Sequence, residues 1–367
     1  MKPFSLKCKA ALAASLFLTG TAGHALASES YRIGSTLIDF DRSAQVPNEW
    51  QAWKMELIEE ELKTYGLTKA DGKKFEQSLL SLAAIIKNVP VLNPALGCSP
   101  RLAPALDNAY DYRDPEVKRA PLAGYLLLGC YITDEVVHKR NGVQVKERVI
   151  GETRQAKISV NNPEALIPNG SLKFPDIGKS EPNPFDLFFA QPTQVGTHGT
   201  FPIVDYVSRS DNVRYGAGLF YMSRNNVQPY VKVGRERFTQ ALIQLYETKK
   251  TDGDASTYTQ GQLDALKQQL RSLRSEDWEQ QACLLTHSMG GFDQVLTTGT
   301  PKCEPIVRLN PALIDPKLPR TSIGLVVVQD FMDIEANAYP NKRLDTWTTL
   351  KTIVQTDWNR VSELVGK

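Results

Sequence analysis

Ser288 sits in the run Thr286-His287-Ser288-Met289-Gly290-Gly291, directly after the apolar residues 282–285. A serine hydroxyl becomes a nucleophile only when a base removes its proton and an acid holds that base in its working tautomer. The two glycines suit a sharp turn, because only small residues let the chain fold back closely around an exposed hydroxyl. Bases are few: the chain has four histidines, and after Ala27 only His138, His198 and His287 remain. His287 is tied to the serine's own turn and His138 falls in a hairpin strand. That leaves His198 as the imidazole for Ser288, with Asp330 or Asp333, after the apolar run 323–329, as the acid. Such a trio would hydrolyse an ester or an amide.

The six-residue turn resembles the nucleophile elbow of the α/β-hydrolases, where a strand runs through a sharp turn into a helix. The resemblance reaches over residues 195–335 at most. It implies a further strand at 305–313, Asp330 and Asp333 in the region of the family's acid, and His198-Gly199 in the region of its oxyanion loop, while the helix expected after the turn, over 292–296, is short for the family. The sequence departs from the family pattern at the base, since that family's histidine follows the acid and no histidine follows His287. In a serine hydrolase, loss of the histidine costs on the order of 10⁶ in rate. A binding or interaction protein is therefore the leading expectation, and an exported serine hydrolase the alternative.

The expected binding surface lies in residues 161–193, whose six prolines read as a long ordered loop. Phe185, Phe188 and Phe189 must there either pack back on the core or present an apolar patch to a partner, and the patch is the expectation. No metal or cofactor is expected. Zinc-ligand spacings, phosphate-binding loops and dinucleotide fingerprints are absent, and Asp252-x-Asp254-x-Ser256 lacks the glycine and glutamate that a calcium loop requires.

The N-terminal segment 1–27 sets the compartment. Lys2, Lys7 and Lys9 precede a short apolar run at 10–18, and Ala25-Leu26-Ala27 offers a small-x-small cleavage site. Export and release of a secreted or periplasmic protein follow, with no later stretch of membrane-spanning length. Removing the three lysines takes the formal charge from +2 to −1, which leaves no electrostatic footprint for nucleic acid or anionic lipid. Cys98, Cys130, Cys283 and Cys303 remain, an even number in an oxidising compartment. Pairing neighbours as Cys98–Cys130 and Cys283–Cys303 closes two short loops, each worth roughly 3 kcal/mol in the chain-entropy picture.

The elements that must position these residues read as an α+β fold. Residues 1–27 are the signal peptide, 28–250 a helical hairpin plus a β-rich region, and 251–367 a C-terminal α/β portion. A strand at 31–40 leads to a helix capped by Asn48 and a second opened by Thr68, with Phe75, Leu79, Leu82 and Ile86 on one face. A strand over 124–139 returns through Asn141-Gly142 as 143–150, placing Glu135 opposite Arg148 and His138 opposite Val145. Residues 200–207 and 215–223 read as strands, the second ending in an Arg224-Asn225-Asn226 turn. Helices come next, with apolar faces at Phe238, Leu242 and Leu245, then at Leu263, Leu266 and Leu270. Residues 323–329 read as a strand buried on both faces, and 347–361 as one amphipathic helix. Non-reducing peptide mapping of the exported chain is expected to return Cys98–Cys130 and Cys283–Cys303 with no free thiol; a crossed pairing would overturn this framework.

Overall fold

The computed structural model describes residues 29–33, 36–40, 47–48, 62–63, 66–93, 95–96, 99–107, 121–131, 133–140, 143–150, 155–167, 173–175, 184–208, 215–253, 256–285, 293–300, 302–315, 317–329 and 344–366. Within them, two antiparallel sheets stack face to face and helices cover both outer faces, giving an α+β fold of four layers. The larger sheet runs, from edge to edge, β12 (Thr193–His198), β13 (Phe201–Ser208), β14 (Tyr215–Ser223), β19 (Leu325–Val328), β9 (Gln155–Val160), β6 (Gly124–Tyr131) and β5 (Ser99–Leu106). The smaller runs β10 (Lys173–Pro175), β11 (Leu187–Ala190), β18 (Glu304–Leu309), β16 (Ala282–Leu285) and β17 (Gln294–Thr297), with β15 (Tyr230–Lys232) also on β18. Both sheets draw strands from either side of residue 250, so the β-rich and C-terminal portions are woven together.

Helix α1 (Lys69–Lys87) forms where the apolar spacing demands it. Thr68 and Asp71 make a reciprocal capping box: the Asp71 N–H donates to Thr68 Oγ1 at 3.2 Å, and the Thr68 N–H donates to Asp71 Oδ2 at 2.9 Å. Those bonds hold the Asp71 carboxyl below its ordinary range. Phe75, Leu79, Leu82 and Ile86 are all buried against the larger sheet, together with Ile353 of α5 (Leu344–Gln355) and Trp358 of α6 (Trp358–Ser362). The expected single C-terminal helix is broken at Thr356, because Asp357 starts a new helix by accepting the Arg360 N–H. On the far side, α2 (Arg235–Thr251) and α3 (Thr257–Ser272) lay Phe238, Leu242, Leu263 and Leu266 on the smaller sheet, and α4 (Ser275–Trp278) follows.

The inner strands explain their own composition. Every residue of β19 is 0% exposed. Leu325 and Val327 face the smaller sheet, while Val326 and Val328 face α1, α5 and α6. The strand is buried on both faces without any parallel sheet, because each sheet is covered on both sides. The same alternation corrects the expected binding patch. Phe188 and Phe189 are each 0% exposed: successive strand residues point to opposite faces, and both faces of β11 are covered. Phe189 stacks edge-on against Tyr230 at 5.9 Å between the sheets, and Phe188 meets Phe238 at 6.0 Å under the helices. Phe185 packs against the intersheet core. Phe188 and Phe189 are core, not surface, and Phe185 is partly buried against that core.

Other expectations shift in detail. The strand expected at 31–40 is an antiparallel pair of β1 (Glu29–Ile33) and β2 (Thr36–Phe40), with Ile33 opposite Thr36. Asn48 lies in β3 (Pro47–Asn48), paired with β4 (Ala95–Leu96); residues 49–61 of the expected first helix lie outside the described residues. The long strand at 124–139 divides into β6, in the larger sheet, and β7 (Thr133–Arg140), which pairs with β8 (Val143–Ile150) in a two-stranded sheet. The β7–β8 register has Arg140 opposite Val143, Glu135 opposite Arg148 and His138 opposite Val145, as the turn at 141–142 requires. Among the described residues no helix is long and apolar enough to cross a membrane, and no cluster of side chains has the make-up of a metal site. Residues 1–27, expected as a signal peptide, lie outside those described.

Asn161 ties together the segments that enter the central strands of the larger sheet. It is 1% exposed with φ 55°, a left-handed backbone that asparagine tolerates better than most residues. Its Nδ2 donates to the Leu122 and Ser322 carbonyls at 2.8 Å each. Its Oδ1 accepts from the Gly324 and Leu325 N–H groups at 2.7 and 3.1 Å. Removing the amide strands several buried backbone groups, each costing about 1–3 kcal/mol. Asn161→Ala is therefore expected to lose about 3 kcal/mol or more in urea unfolding at unchanged m. Asn161→Gly should lose nearly as much; full stability in the glycine variant would show that backbone strain, and not the hydrogen bonds, governs the position.

Candidate functional site

The flanks of Ser288 are clear, although Ser288 itself, Asp330 and Asp333 lie outside the described residues. β16 ends at Leu285 and β17 starts at Gln294, and these two residues are antiparallel partners. The segment 286–293 thus links neighbouring antiparallel strands. The helix expected after the turn is replaced by β17, whose backbone is gripped by side chains of α3. Gln262 donates to the Asp293 carbonyl at 3.0 Å and accepts its N–H at 2.8 Å. Gln269 does the same to Val295, at 2.6 and 3.1 Å. Two glutamine amides, two turns apart on one helix face, stand in for a further strand and close this sheet edge. Tyr246, beside Asp293, has its hydroxyl pushed up to about 12 by burial first and the Asp293 charge second. A disulfide joins Cys283 of β16 to Cys303 just before β18, with Cα atoms 5.5 Å apart.

His198 stands elsewhere. It closes β12 opposite Phe201, its ring 5.3 Å from that of Phe220, and Phe220 belongs to the core beneath α1 and α6. That is the outer, helix-covered face of the larger sheet, whereas Leu285 and Gln294 belong to the smaller sheet. Burial of the ring holds its imidazole below the ordinary histidine value, so it is neutral at pH 7. Cys130 is buried on β6 opposite Pro100, and Cys98 lies outside the described residues.

The structure instead assembles a cleft that no single stretch of sequence announces. Its floor is the Asn161 amide with Gly324, where any side chain would collide with Leu318 at 2.8 Å. One wall is the turn after β14, in which Asn225 and Asn226 take φ 59° and 52°. The other follows β18, where Asn310 Oδ1 caps the Ala312 N–H at 3.0 Å and starts a single 3₁₀ turn. Pro121, Val227, Leu313, Ile314 and Leu318 give the lining its apolar side chains, around a volume of about 300 Å³. Across its mouth Arg224 Nη1 donates to Asp315 Oδ2 at 2.6 Å, while Asp315 Oδ1 accepts the Lys317 N–H at 2.8 Å. Both side chains keep about a third of their surface, 37% and 30%. Their pairing is accordingly worth at most about 1 kcal/mol in stability, and its polar atoms stay within reach of a ligand.

The sequence marks the Arg224-Asn225-Asn226 turn but not the cleft. Arg224 and Asp315 are 91 residues apart, and neither carries a local motif that points to the other. An apolar pocket with a few converging polar groups is the form most small-molecule sites take. No protein-family model, curated protein or solved structure matches this chain.

Because His198 is neutral when folded and its imidazole is depressed, the unfolded chain takes up a proton first as pH falls. Its contribution is therefore present above pH 6.5, the ordinary histidine value, and is lost as pH drops from there toward the depressed folded one. His198→Phe is expected to flatten the acid limb of stability against pH. It should also leave activated-ester hydrolysis at background, as in wild type and Ser288→Ala; turnover in wild type that both variants abolish would restore the hydrolase reading.

Proposed function

We propose that this chain is an exported binding protein that captures a small, largely apolar ligand in the cleft between the 224–227 turn and residues 311–318. The observation that carries this reading is the preformed cleft itself: apolar walls, an Arg224–Asp315 pair at the mouth, and a floor fixed by the fully engaged Asn161 amide. A rigid floor favours binding, since little order has to be imposed when the ligand arrives. Arg224 and Asp315 present donors and an acceptor side by side, suited to a ligand with a carbonyl, amide or carboxylate head on an apolar body.

The compartment fits the same reading. Segment 1–27 has the charge, apolar run and cleavage site of an export signal. We extend the disulfide framework to a second bridge, Cys98–Cys130, because Cys98 stands just ahead of Ser99-Pro100, and Pro100 is the antiparallel partner of Cys130. The Cys283–Cys303 staple holds the smaller sheet in the same way.

Ala312 is exposed at the cleft wall, so a large side chain there should fill the space without disturbing the core. With anilinonaphthalene sulfonate as the probe, an apolar body carrying an anionic head, wild type is expected to show saturable one-to-one fluorescence enhancement. Ala312→Trp should weaken it by about tenfold or more while moving Tm by less than about 2 °C. Absence of saturable binding, or binding indifferent to both Ala312→Trp and Arg224→Gln, would overturn the proposal.

A further inference from the structure

We propose that a second, polar cleft on the smaller sheet binds a ring of monosaccharide size that carries an anionic group. The cleft has a volume of about 230 Å³ and lies where β15, the start of α2 and the end of α4 meet. Its charged lining is Lys232, Arg237 and Arg308 against Glu236 and Glu279, an excess of one positive charge. Glu236 is turned along its own helix, where its Oε1 accepts from Gln240 Nε2 at 3.1 Å.

The cations are placed by the core beneath them. The Arg237 guanidinium lies 5.6 Å from the ring of the fully buried Phe188, and Arg308 is the antiparallel partner of Phe188 on β18. Arg237 is thus braced on a buried ring, which reduces the rotamer freedom it would lose on meeting an anion, and Arg308 stands on the same face of the sheet beside that ring. Trp278 also belongs to the lining. Trp278 is 41% exposed, one of only three large hydrophobic side chains above a third exposed among the described residues. Gly234 lets the chain approach α4 closely, since a side chain there would meet the Trp278 carbonyl at 2.7 Å.

Each part of the cleft selects one part of the ligand. Fork-shaped guanidinium donors match a carboxylate or phosphate. An exposed indole offers an apolar surface to the C–H face of a ring and a donor at its edge. Glu279 supplies an acceptor for ring hydroxyls. A lipid tail has no comparable partner here, because the lining is polar apart from Val233 and the indole. The cleft is small beside typical drug-sized pockets, which fits one ring and not an oligomer. It is separate from the apolar cleft, with which it shares no lining residue.

The test is titration of the exported chain with glucuronate and with glucose 6-phosphate, read by tryptophan emission and calorimetry. Glucose and inorganic phosphate serve as the partial ligands. At least one acidic sugar is expected to bind saturably, and which one binds tells a carboxylate from a phosphate reader. Each partial ligand should bind about tenfold or more weakly, and the affinity should fall as salt rises. Arg308→Gln and Lys232→Gln should each weaken the acidic sugar, Trp278→Ala should remove the emission change, and Ala312→Trp should alter none of these. Lys232 and Trp278 are exposed, so those two variants test the site even if Arg308→Gln fails to fold. No saturable binding by either acidic sugar, equal binding of glucose, or equal binding of inorganic phosphate would overturn the proposal.

Discussion

One asparagine side chain takes the place of a short length of backbone at the centre of this fold. Asn161 ends β9 in a left-handed conformation, and its own N–H donates to the Leu325 carbonyl at 2.8 Å. Its amide then fills four further hydrogen bonds to Leu122, Ser322, Gly324 and Leu325. The segment entering β6, the segment entering β19 and the end of β9 are thereby held together. Such a site tolerates little substitution: an aspartate would turn an acceptor toward two carbonyls, and a glycine would match the backbone but supply no bonds. The register of the central strands and the floor of the apolar cleft both depend on this residue.

Around that point the architecture answers a simple constraint. Two stacked sheets bury their facing sides in each other, which leaves two outer faces that water must not reach. Helix α1 with α5 and α6 covers one, and α2 with α3 covers the other. Sheet edges then remain as the unpaired surface. β17 is closed by the Gln262 and Gln269 amides, whereas β12 carries a register shift between Gln194 and Gly196 that breaks its hydrogen-bonding row. Both devices oppose pairing with another chain.

The two clefts arise where strand ends and turns from different layers meet, and each contains a charged group braced by structure beneath it. Arg224 pairs with Asp315, and its stem packs beside Gly366, where a side chain would come within 3.0 Å of it. Arg237 rests on Phe188. Of the serine-centred reading's parts, Ser288, Asp330 and Asp333 lie outside the described residues. His198 is committed to the outer face of the larger sheet, and the strands that flank residues 286–293 run antiparallel in the smaller one.

Local sequence determined the elements whose causes are local. The Thr68–Asp71 box and the Phe75, Leu79, Leu82, Ile86 stripe are written between positions 68 and 86, and α1 forms as they require. The β7–β8 register follows from a two-residue turn, and the depth of β19 from an uninterrupted run of β-formers. The sequence could not say which side of a strand would be covered. Phe188 and Phe189 look like a surface patch until both faces of β11 are seen to be packed, since burial depends on layers that arrive from residues 204–309. Nor could it join Arg224 to Asp315, or Asn161 to Gly324, because each pairing spans 91 or more residues and carries no periodic signal. Spacing along the chain governs hydrogen bonds closed within one turn. Contacts between layers depend on how the whole set of apolar faces is buried at once, and only the tertiary structure decides that.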